Sequence, residues 1–200
     1  MPNWATVTRK IYGSKENLQT IKDAIVKCET AKEPLVKNGF GNLWLGCIVN
    51  ALGGDWEKVA CRGEVTSYCE CDGYLLLESM EAWGELSEFR HFIEDKFKDE
   101  DGDSDVDITY YCSEPGMGVY CTNDPDCDAV YMDVWSLDDD GCEDDIIDSY
   151  EADSTDDAIA WICETFFDDD SDFDTLEEAE KAMRSAGYKL HINRYEYQKY

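Results

Sequence analysis

Asp and Glu are the residues in this sequence whose number and spacing suggest a functional site. The stretch DDDGCEDDIIDSYEADSTDD, residues 138–157, is dense in Asp and Glu and contains no Lys or Arg. More widely, the 82 residues 99–180 hold 31 acidic residues and no Lys or Arg. So many neighbouring carboxylates can bind a hard cation such as Ca²⁺, or they can present an extended negative surface to a basic partner.

A calcium loop is the first of these to test, because Ca²⁺ takes several oxygen ligands from one short loop. A loop that starts at Asp101 puts Asp103 and Asp105 at ligand positions. It also puts Val106 where glycine is needed and Cys112 where the final glutamate is needed. The spacing therefore fits no standard calcium loop, and a nonstandard cation site stays an alternative.

The ten cysteines are expected to be small buried hydrophobic residues in a reducing cytosol. There is no C-x-x-C motif, the nearest pattern being Cys69-x-Cys71, and the chain has only two histidines. The sequence therefore predicts no metal and no cofactor, and a zinc site at Cys69 and Cys71 with Cys61 nearby stays an alternative.

An enzyme hypothesis rests on Pro2. Removal of Met1 would leave Pro2 as a terminal secondary amine on the first predicted strand. The segment PNWATVTRKIYGSKENLQTI resembles the start of the tautomerase family, whose terminal proline acts as a general base. The likeness does not continue along the chain, so a small tautomerase-like enzyme is the third hypothesis.

A display of negative charge accounts for the acids more fully. Aspartates two residues apart on a strand lie about 6.8 Å apart on one face, so Asp103, Asp105 and Asp107 could form a row of anions. Duplex DNA carries about one charge per 1.7 Å of its axis, and an imitator needs many carboxylates with few cations between them. Solubility requires a net charge of only a few units, so it does not explain the complete exclusion of Lys and Arg.

The predicted partner is a basic nucleic-acid-binding host protein, such as a CRISPR effector or a restriction enzyme, whose channel holds nucleic acid by its backbone. Direct binding of nucleic acid is not expected. The predicted partner-binding residues are the acids of the region: Asp101, Asp103, Asp105, Asp107, Asp138, Asp139, Asp140, Glu143, Asp144, Asp145, Asp148, Glu151, Asp153, Asp156, Asp157, Asp168, Asp169, Asp170, Asp172 and Asp174.

The composition predicts a folded chain and not an acidic disordered tail. The net charge is −30, from 17 basic and 47 acidic residues, but 43% of the residues are apolar and 12% are aromatic. Residues 1–98 carry 12 basic and 15 acidic residues, an ordinary balance. The charge therefore belongs to one region, whereas adaptation to high salt would spread acids over the whole surface.

The elements that must position these acids begin with a β-α-β-β-α-β order. Alternating and helical periodicities predict, in turn, a strand at 4–12, a helix after Ser14, an extra helix at 45–52, strands at 58–71 and 74–82, a helix at 85–98 and a strand through 105–112. The Asp72–Gly73 pair favours a tight hairpin between the second and third strands. We therefore predict an α+β fold with a ferredoxin-like sandwich over residues 1–113.

Residues 114–200 are predicted to form an acidic α+β extension that packs on the sheet or continues it. Strands are expected at 118–122, 129–137 and 189–197, and helices start at Ser154 or Thr155 and at Thr175. The acidic stretches 138–145 and 168–174 are expected to be loops.

Three segments, MPNW at the start, LWLGCIVNALGGDW at 43–56 and SEPGMGVYCTND at 113–124, resemble the YubB-type ferredoxin-like family of bacterial plasmids and phages. The resemblance covers residues 1–135. It implies a ferredoxin-like fold, an origin in a mobile genetic element and residence inside the cell, and it implies no catalytic residue.

No apolar run has the length of a membrane span and the first residues do not form a signal peptide, so the expected location is the cytoplasm of a bacterial host. The leading hypothesis is a non-enzymatic acidic inhibitor from a mobile genetic element, which mimics nucleic acid to block a host defence nuclease or CRISPR effector. The second is an acidic accessory or cation-binding protein without mimicry.

Overall fold

The structure is a computed structural model that describes residues 3–167 and 173–198. Its strands are β1 (Trp4–Tyr12), β2 (Gly63–Cys71), β3 (Tyr74–Ala82), β4 (Asp107–Glu114), β5 (Val119–Thr122), β6 (Val130–Leu137), β7 (Glu143–Ala152), β8 (Tyr188–Arg194) and β9 (Glu196–Tyr197). Its helices are α1 (Lys15–Glu29), α2 (Leu45–Ala51), α3 (Ser87–Lys96), α4 (Thr155–Phe166) and α5 (Leu176–Ser185). Within the described ranges the fold is mixed α+β, with a six-stranded sheet, a three-stranded sheet and five α-helices.

The chain divides into two compact units, a first unit of Met1–Val119 and a second unit of Tyr120–Tyr200. Compactness does not test independent folding, so the domain boundary expected after residue 113 stays a prediction. None of the helices in the described ranges is both long enough and apolar enough to cross a membrane.

The first unit contains the strand order β2-β3-β1-β4, in which every neighbouring pair is antiparallel. The predicted hairpin between β2 and β3 is confirmed, and Gly73 adopts a φ of 90° that favours glycine in the turn. β2 is shorter than predicted, because residues 56–58 form a short 3-10 turn before it.

The core of the first unit lies between one face of this sheet and its helices. Helix α1 begins after Ser14, whose Oγ accepts a hydrogen bond from the Asn17 N–H, and it buries Ile21 and Ile25. These side chains join Leu77 of β3 and Phe89 of α3 in one apolar cluster. The periodic residues therefore pack as their spacing predicts.

The second unit contains the antiparallel order β7-β6-β8, with β6 in the centre. Alternate residues of β6, which are Val130, Met132 and Val134, are fully buried against α4 and α5. Two further short strands, β5 and β9, pair in parallel through Cys121 with Glu196 and Thr122 with Tyr197.

The prediction that residues 138–145 form a loop is wrong for residues 143–145, which belong to strand β7. Residues 138–142 make the turn and β7 starts at Glu143. Residues 143–149 are exposed on both faces, so β7 lacks the alternation of apolar and polar residues by which a half-buried strand is found. Its position is fixed by backbone pairing with β6, which the sequence of β7 alone does not reveal.

Candidate partner-binding surface

The predicted row of anions at Asp103, Asp105 and Asp107 is wrong. Strand β4 starts at Asp107, and the other two aspartates lie in the loop before it. The carboxylate of Asp105 accepts hydrogen bonds from the Ser14 N–H at 3.2 Å and the Asn17 side chain at 2.8 Å. These bonds lower the pKa of Asp105 and hold its charge at the start of α1.

The exposed loop that carries Asp101 and Asp103 is folded around a neighbouring aspartate. The carboxylate of Asp99 accepts the N–H groups of Asp101 at 2.9 Å and Asp103 at 3.0 Å. An aspartate that bonds its own backbone two residues on is a common turn device. Here the acids shape a turn and do not form a regular array.

The turn from Asp138 to Cys142 is built in the same way. One oxygen of the Asp138 carboxylate accepts the N–H groups of Asp140 at 3.0 Å and Cys142 at 2.8 Å. Gly141, with a φ of 77°, closes the turn. Asp138 therefore has a structural role, and its neighbours Asp139 and Asp140 point their charge into solvent.

Residues 138–149, which we call the acidic hairpin, are all exposed. These twelve consecutive residues contain seven acids and no Lys or Arg: Asp138, Asp139, Asp140, Glu143, Asp144, Asp145 and Asp148. The backbone of Asp145 bonds the Ser136 hydroxyl, which holds β7 in register with β6. The structure thus brings the central predicted acids together on one strand and its turn.

Four carboxylates of the acidic hairpin carry no local partner. In the part of the chain that the structure describes, no hydrogen bond or ion pair engages the side chains of Asp139, Asp140, Asp144 and Asp145. Carboxylates without partners are the ones whose charge stays available to a second molecule, because no local cation offsets it.

Glu143 is the acid of the hairpin that local cations neutralise. Its Oε1 accepts a hydrogen bond from the Lys189 ammonium and lies 3.1 Å from His191 Nε2. The hydrogen bond from Lys189 lowers the pKa of Glu143, and His191 adds to the effect. Glu143 therefore ties β7 to β8, at the opposite side of the three-stranded sheet.

The side chains of the remaining acids of β7, Asp148 and Glu151, each accept a local hydrogen bond. The carboxylate of Asp148 accepts the N–H of Ser149 at 2.8 Å. Glu151 is half-buried and accepts a hydrogen bond from the Tyr195 hydroxyl. The exposed acidic surface therefore ends before Glu151.

The acids next to α4 and α5 mostly serve the helix starts. Asp157 accepts the Asp153 N–H at 3.2 Å and the Tyr150 hydroxyl at 3.1 Å. Asp156 is exposed in the first turn of α4, where a negative charge favours the helix dipole. Asp174 is exposed and donates its N–H to Glu178 ahead of α5. These acids lie apart from the acidic hairpin in the sequence, and the carboxylates of Asp156 and Asp157 act at the start of α4.

Four predicted residues, Asp168, Asp169, Asp170 and Asp172, lie outside the described residues, and so does Pro2 of the enzyme hypothesis. In the described ranges, no group of three or more His, Cys, Asp or Glu side chains is arranged to hold a metal ion.

The acidic hairpin also carries exposed apolar side chains, and the neighbouring Tyr150 is not one of them. The ring of Tyr150 stacks on the ring of Trp161, with 4.8 Å between the ring centroids, so it packs within the second unit. The exposed apolar side chains of the hairpin are Ile146 and Ile147, which are 54% and 51% exposed. The sequence signal for this exposed apolar pair was the presence of two adjacent isoleucines within an acidic stretch.

The second unit carries more of the net negative charge than its share of the chain length. Residues 120–200 hold 25 acidic and 5 basic residues, a net charge of −20 out of −30 for the whole chain. Two of its cations already meet acids, Lys189 with Glu143 and Arg194 with Asp128.

No family model, no curated protein and no solved structure matches this chain.

Proposed function

We propose that this protein is a non-enzymatic acidic inhibitor from a mobile genetic element that presents the acidic hairpin to the nucleic-acid groove of a basic host protein. The observation that carries the proposal is the exposure of twelve consecutive residues with seven acids, four of whose carboxylates have no partner in the described chain. The proposed targets are a CRISPR effector or a restriction enzyme in the cytoplasm of a bacterial host.

Strand geometry supports a nucleic-acid-like display. Successive residues of a strand rise by about 3.4 Å and point to alternate sides, and successive phosphates of one DNA strand are also spaced by about 3.4 Å of the axis. In β7 both sides are exposed, so Asp144 and Asp145 place charge on both faces of one strand. A groove that grips phosphates through Lys and Arg can meet such a strand in the same way.

The proposed contact set is narrower than the full list of acids. Asp105, Asp138 and Asp157 accept local backbone hydrogen bonds and shape their own segments. The contact set consists of Asp139, Asp140, Asp144 and Asp145, with the exposed side chains of Ile146 and Ile147 beside them. Apolar contact next to charge would add affinity that salt does not screen.

For the first unit we propose a ferredoxin-like fold and membership of the YubB-type family. The order β2-β3-β1-β4 with antiparallel neighbours, and the placement of α1 and α3 between strands, support the fold. The family assignment rests on the three quoted segments alone.

The test is capture from a bacterial host lysate on the immobilised full-length protein, followed by elution with duplex DNA. We expect a basic nucleic-acid-binding protein to be retained at low salt and released by DNA. Retention should fall steeply as salt rises, because contacts between charged groups are screened.

The bait variant combines Asp139→Asn, Asp140→Asn, Asp144→Asn and Asp145→Asn, and we expect it to lose the partner. The matched control removes four charges elsewhere, with Glu33→Gln, Glu57→Gln, Asp72→Asn and Glu100→Gln, all at exposed acids of the first unit. The proposal fails if both baits retain the same protein equally, or if duplex DNA does not displace it.

A further inference from the structure

Two thiols of the first unit lie in contact with each other near the surface. Cys69 and Cys71 are two residues apart on β2, and their Sγ atoms are 3.7 Å apart. Cys69 is exposed and Cys71 is half-buried, whereas Cys28, Cys47 and Cys61 of the same unit are buried. The pair combines accessibility with a second thiol in contact.

The position of the pair in the sheet leaves room for a small movement. β2 is the end strand of the order β2-β3-β1-β4, and Cys69 and Cys71 face Leu76 and Tyr74 across the hairpin. Cys71 is one of the residues that line a cavity of about 440 Å³. An end strand with a neighbouring turn can adjust more easily than a central strand, because fewer neighbours hold it.

We propose that Cys69 and Cys71 form a surface dithiol site that closes to an intramolecular disulfide on reaction with a small-molecule disulfide, such as glutathione disulfide. This inference is independent of the proposed function, because it concerns the first unit and requires no protein partner.

The reaction balances as two successive exchanges. The thiolate of one cysteine attacks a sulfur of glutathione disulfide, which forms a mixed disulfide and releases one glutathione thiolate. The second cysteine loses its proton, attacks the protein sulfur of the mixed disulfide and releases the second glutathione. In total, two protein thiols are oxidised to one disulfide and one glutathione disulfide is reduced to two thiols.

Geometry predicts that the bond is strained. Residues two apart on a strand have Cα atoms about 6.8 Å apart, at the upper end of the roughly 4.4–6.8 Å that disulfides span. The sulfurs must also approach from 3.7 Å to a bond of about 2.05 Å. Strained disulfides are reduced more readily than structural ones, so we expect a reversible bond.

The rate should rise with pH. The hydrogen bond with Cys71, together with a smaller effect of desolvation, raises the pKa of the Cys69 thiol. Since the thiolate is the attacking species, closure should become faster as the pH increases above neutrality.

The experiment treats the folded full-length protein with glutathione disulfide, blocks remaining thiols with an alkylating reagent and digests with trypsin. Trypsin releases residues 63–90 as one peptide that contains Cys69 and Cys71 and no other cysteine. We expect this peptide to be lighter by two hydrogen atoms and to carry neither glutathione nor alkyl groups. Dithiothreitol added before the alkylation should restore the doubly alkylated peptide.

Two comparisons keep the result specific. Cys142 is an exposed cysteine in the turn before β7, and it should retain a glutathione adduct because no second thiol resolves it. In the variant Cys71→Ser, Cys69 should likewise stop at the adduct. The proposal is overturned if the wild-type peptide 63–90 keeps stable glutathione adducts, stays unmodified while Cys142 reacts, or links to a second chain.

Discussion

Arg9 is a charged residue in the core of the first unit, with no part of its side chain exposed. Its guanidinium donates to both oxygens of Glu81, at 2.5 and 3.0 Å, and to Glu85 at 3.0 Å. Burial alone would lower the pKa of Arg9, and the two carboxylates raise it above its usual value. Arg9 is therefore held as a cation by its partners, and its removal would leave the buried carboxylate of Glu81 without a cation, whereas Glu85 keeps Arg90.

We expect Arg9→Met to lower the free energy of unfolding by about 3–5 kcal/mol, since breaking a buried ion pair on one side leaves the other charge unpaired. Urea denaturation measures the change. Lys10→Met, at the next residue and on the opposite face of β1, is the control and should change stability by less than about 0.5 kcal/mol. Equal losses in the two variants would contradict a specific role for the buried pair.

Asp128 is a residue of the second unit that the sequence analysis did not single out. Its carboxylate accepts the Thr155 N–H at 3.0 Å and the Thr155 hydroxyl at 2.7 Å. These hydrogen bonds lower the pKa of Asp128, and the charge of Arg194 contributes further. Asp128 thus joins the segment before β6 to the first turn of α4.

The lowered pKa sets the pH window of this contribution. Because the folded pKa lies below the ordinary value of 3.8, the stabilisation is complete above that value and is lost as the pH falls through the folded pKa. We expect Asp128→Asn to destabilise the protein at pH 7 and the difference from wild type to shrink at acid pH, as measured by denaturation across pH. Asp126→Asn, at an exposed neighbouring residue, is the control. If the stability difference between wild type and Asp128→Asn grew at acid pH, the stabilising role of the Asp128 carboxylate would be disproved.

At the scale of elements, helix α4 shows how its start is fixed by short polar side chains. The Oγ of Ser154 accepts the N–H of Asp157 at 3.1 Å, and the carboxylate of Asp157 accepts the N–H of Asp153 at 3.2 Å. This arrangement satisfies the N–H of Asp157, which the first turn of the helix leaves without a partner, and it ties Asp153, just before the cap, to that turn. It also uses acids of the predicted binding list for a local purpose.

Ser154→Ala should cost about 1 kcal/mol of stability, because the cap is lost. Ser154→Asn should keep most of it, since Asn is an equally good cap. Urea denaturation of both variants, followed by amide hydrogen exchange in the second unit, distinguishes them. Equal destabilisation by the two substitutions would show that the hydroxyl does not act as a cap.

At the scale of the whole molecule, the dominant quantity is the charge. The second unit carries a net charge of −20 and the first unit −10. Repulsion among like charges opposes compaction, and salt reduces it because the screening length falls from about 30 Å at 0.01 M to about 10 Å at 0.1 M. The second unit therefore has the most to gain from added salt.

We expect sodium chloride to increase protection from amide hydrogen exchange more in residues 120–198 than in residues 3–119. Exchange followed by mass spectrometry at 0.01 and 0.1 M salt, two concentrations at which the screening length differs about threefold, measures both parts in one sample. The same series on the four-site Asp→Asn hairpin variant provides the control, because it carries less charge to screen. A uniform response along the chain would contradict the argument.

The sequence by itself determined the elements whose residues alternate between core and solvent. The strands β1 and β3 were predicted with their observed bounds, and the helices α1 and α4 with their observed starts, because half of each element packs against a core and its periodicity records that. The acidity of the second half and the absence of cations over residues 99–180 were likewise readable directly.

Only the tertiary structure decided which acids share a surface. Strand β7 exposes both faces from residue 143 to 149, so its pattern resembles a loop until β6 supplies the backbone partners. In the same way, Asp105 was expected in a row of anions, but it accepts hydrogen bonds at the start of α1, far away in the sequence. A local pattern records burial, whereas the pairing of an exposed strand and the partner of a carboxylate depend on residues that only folding brings near.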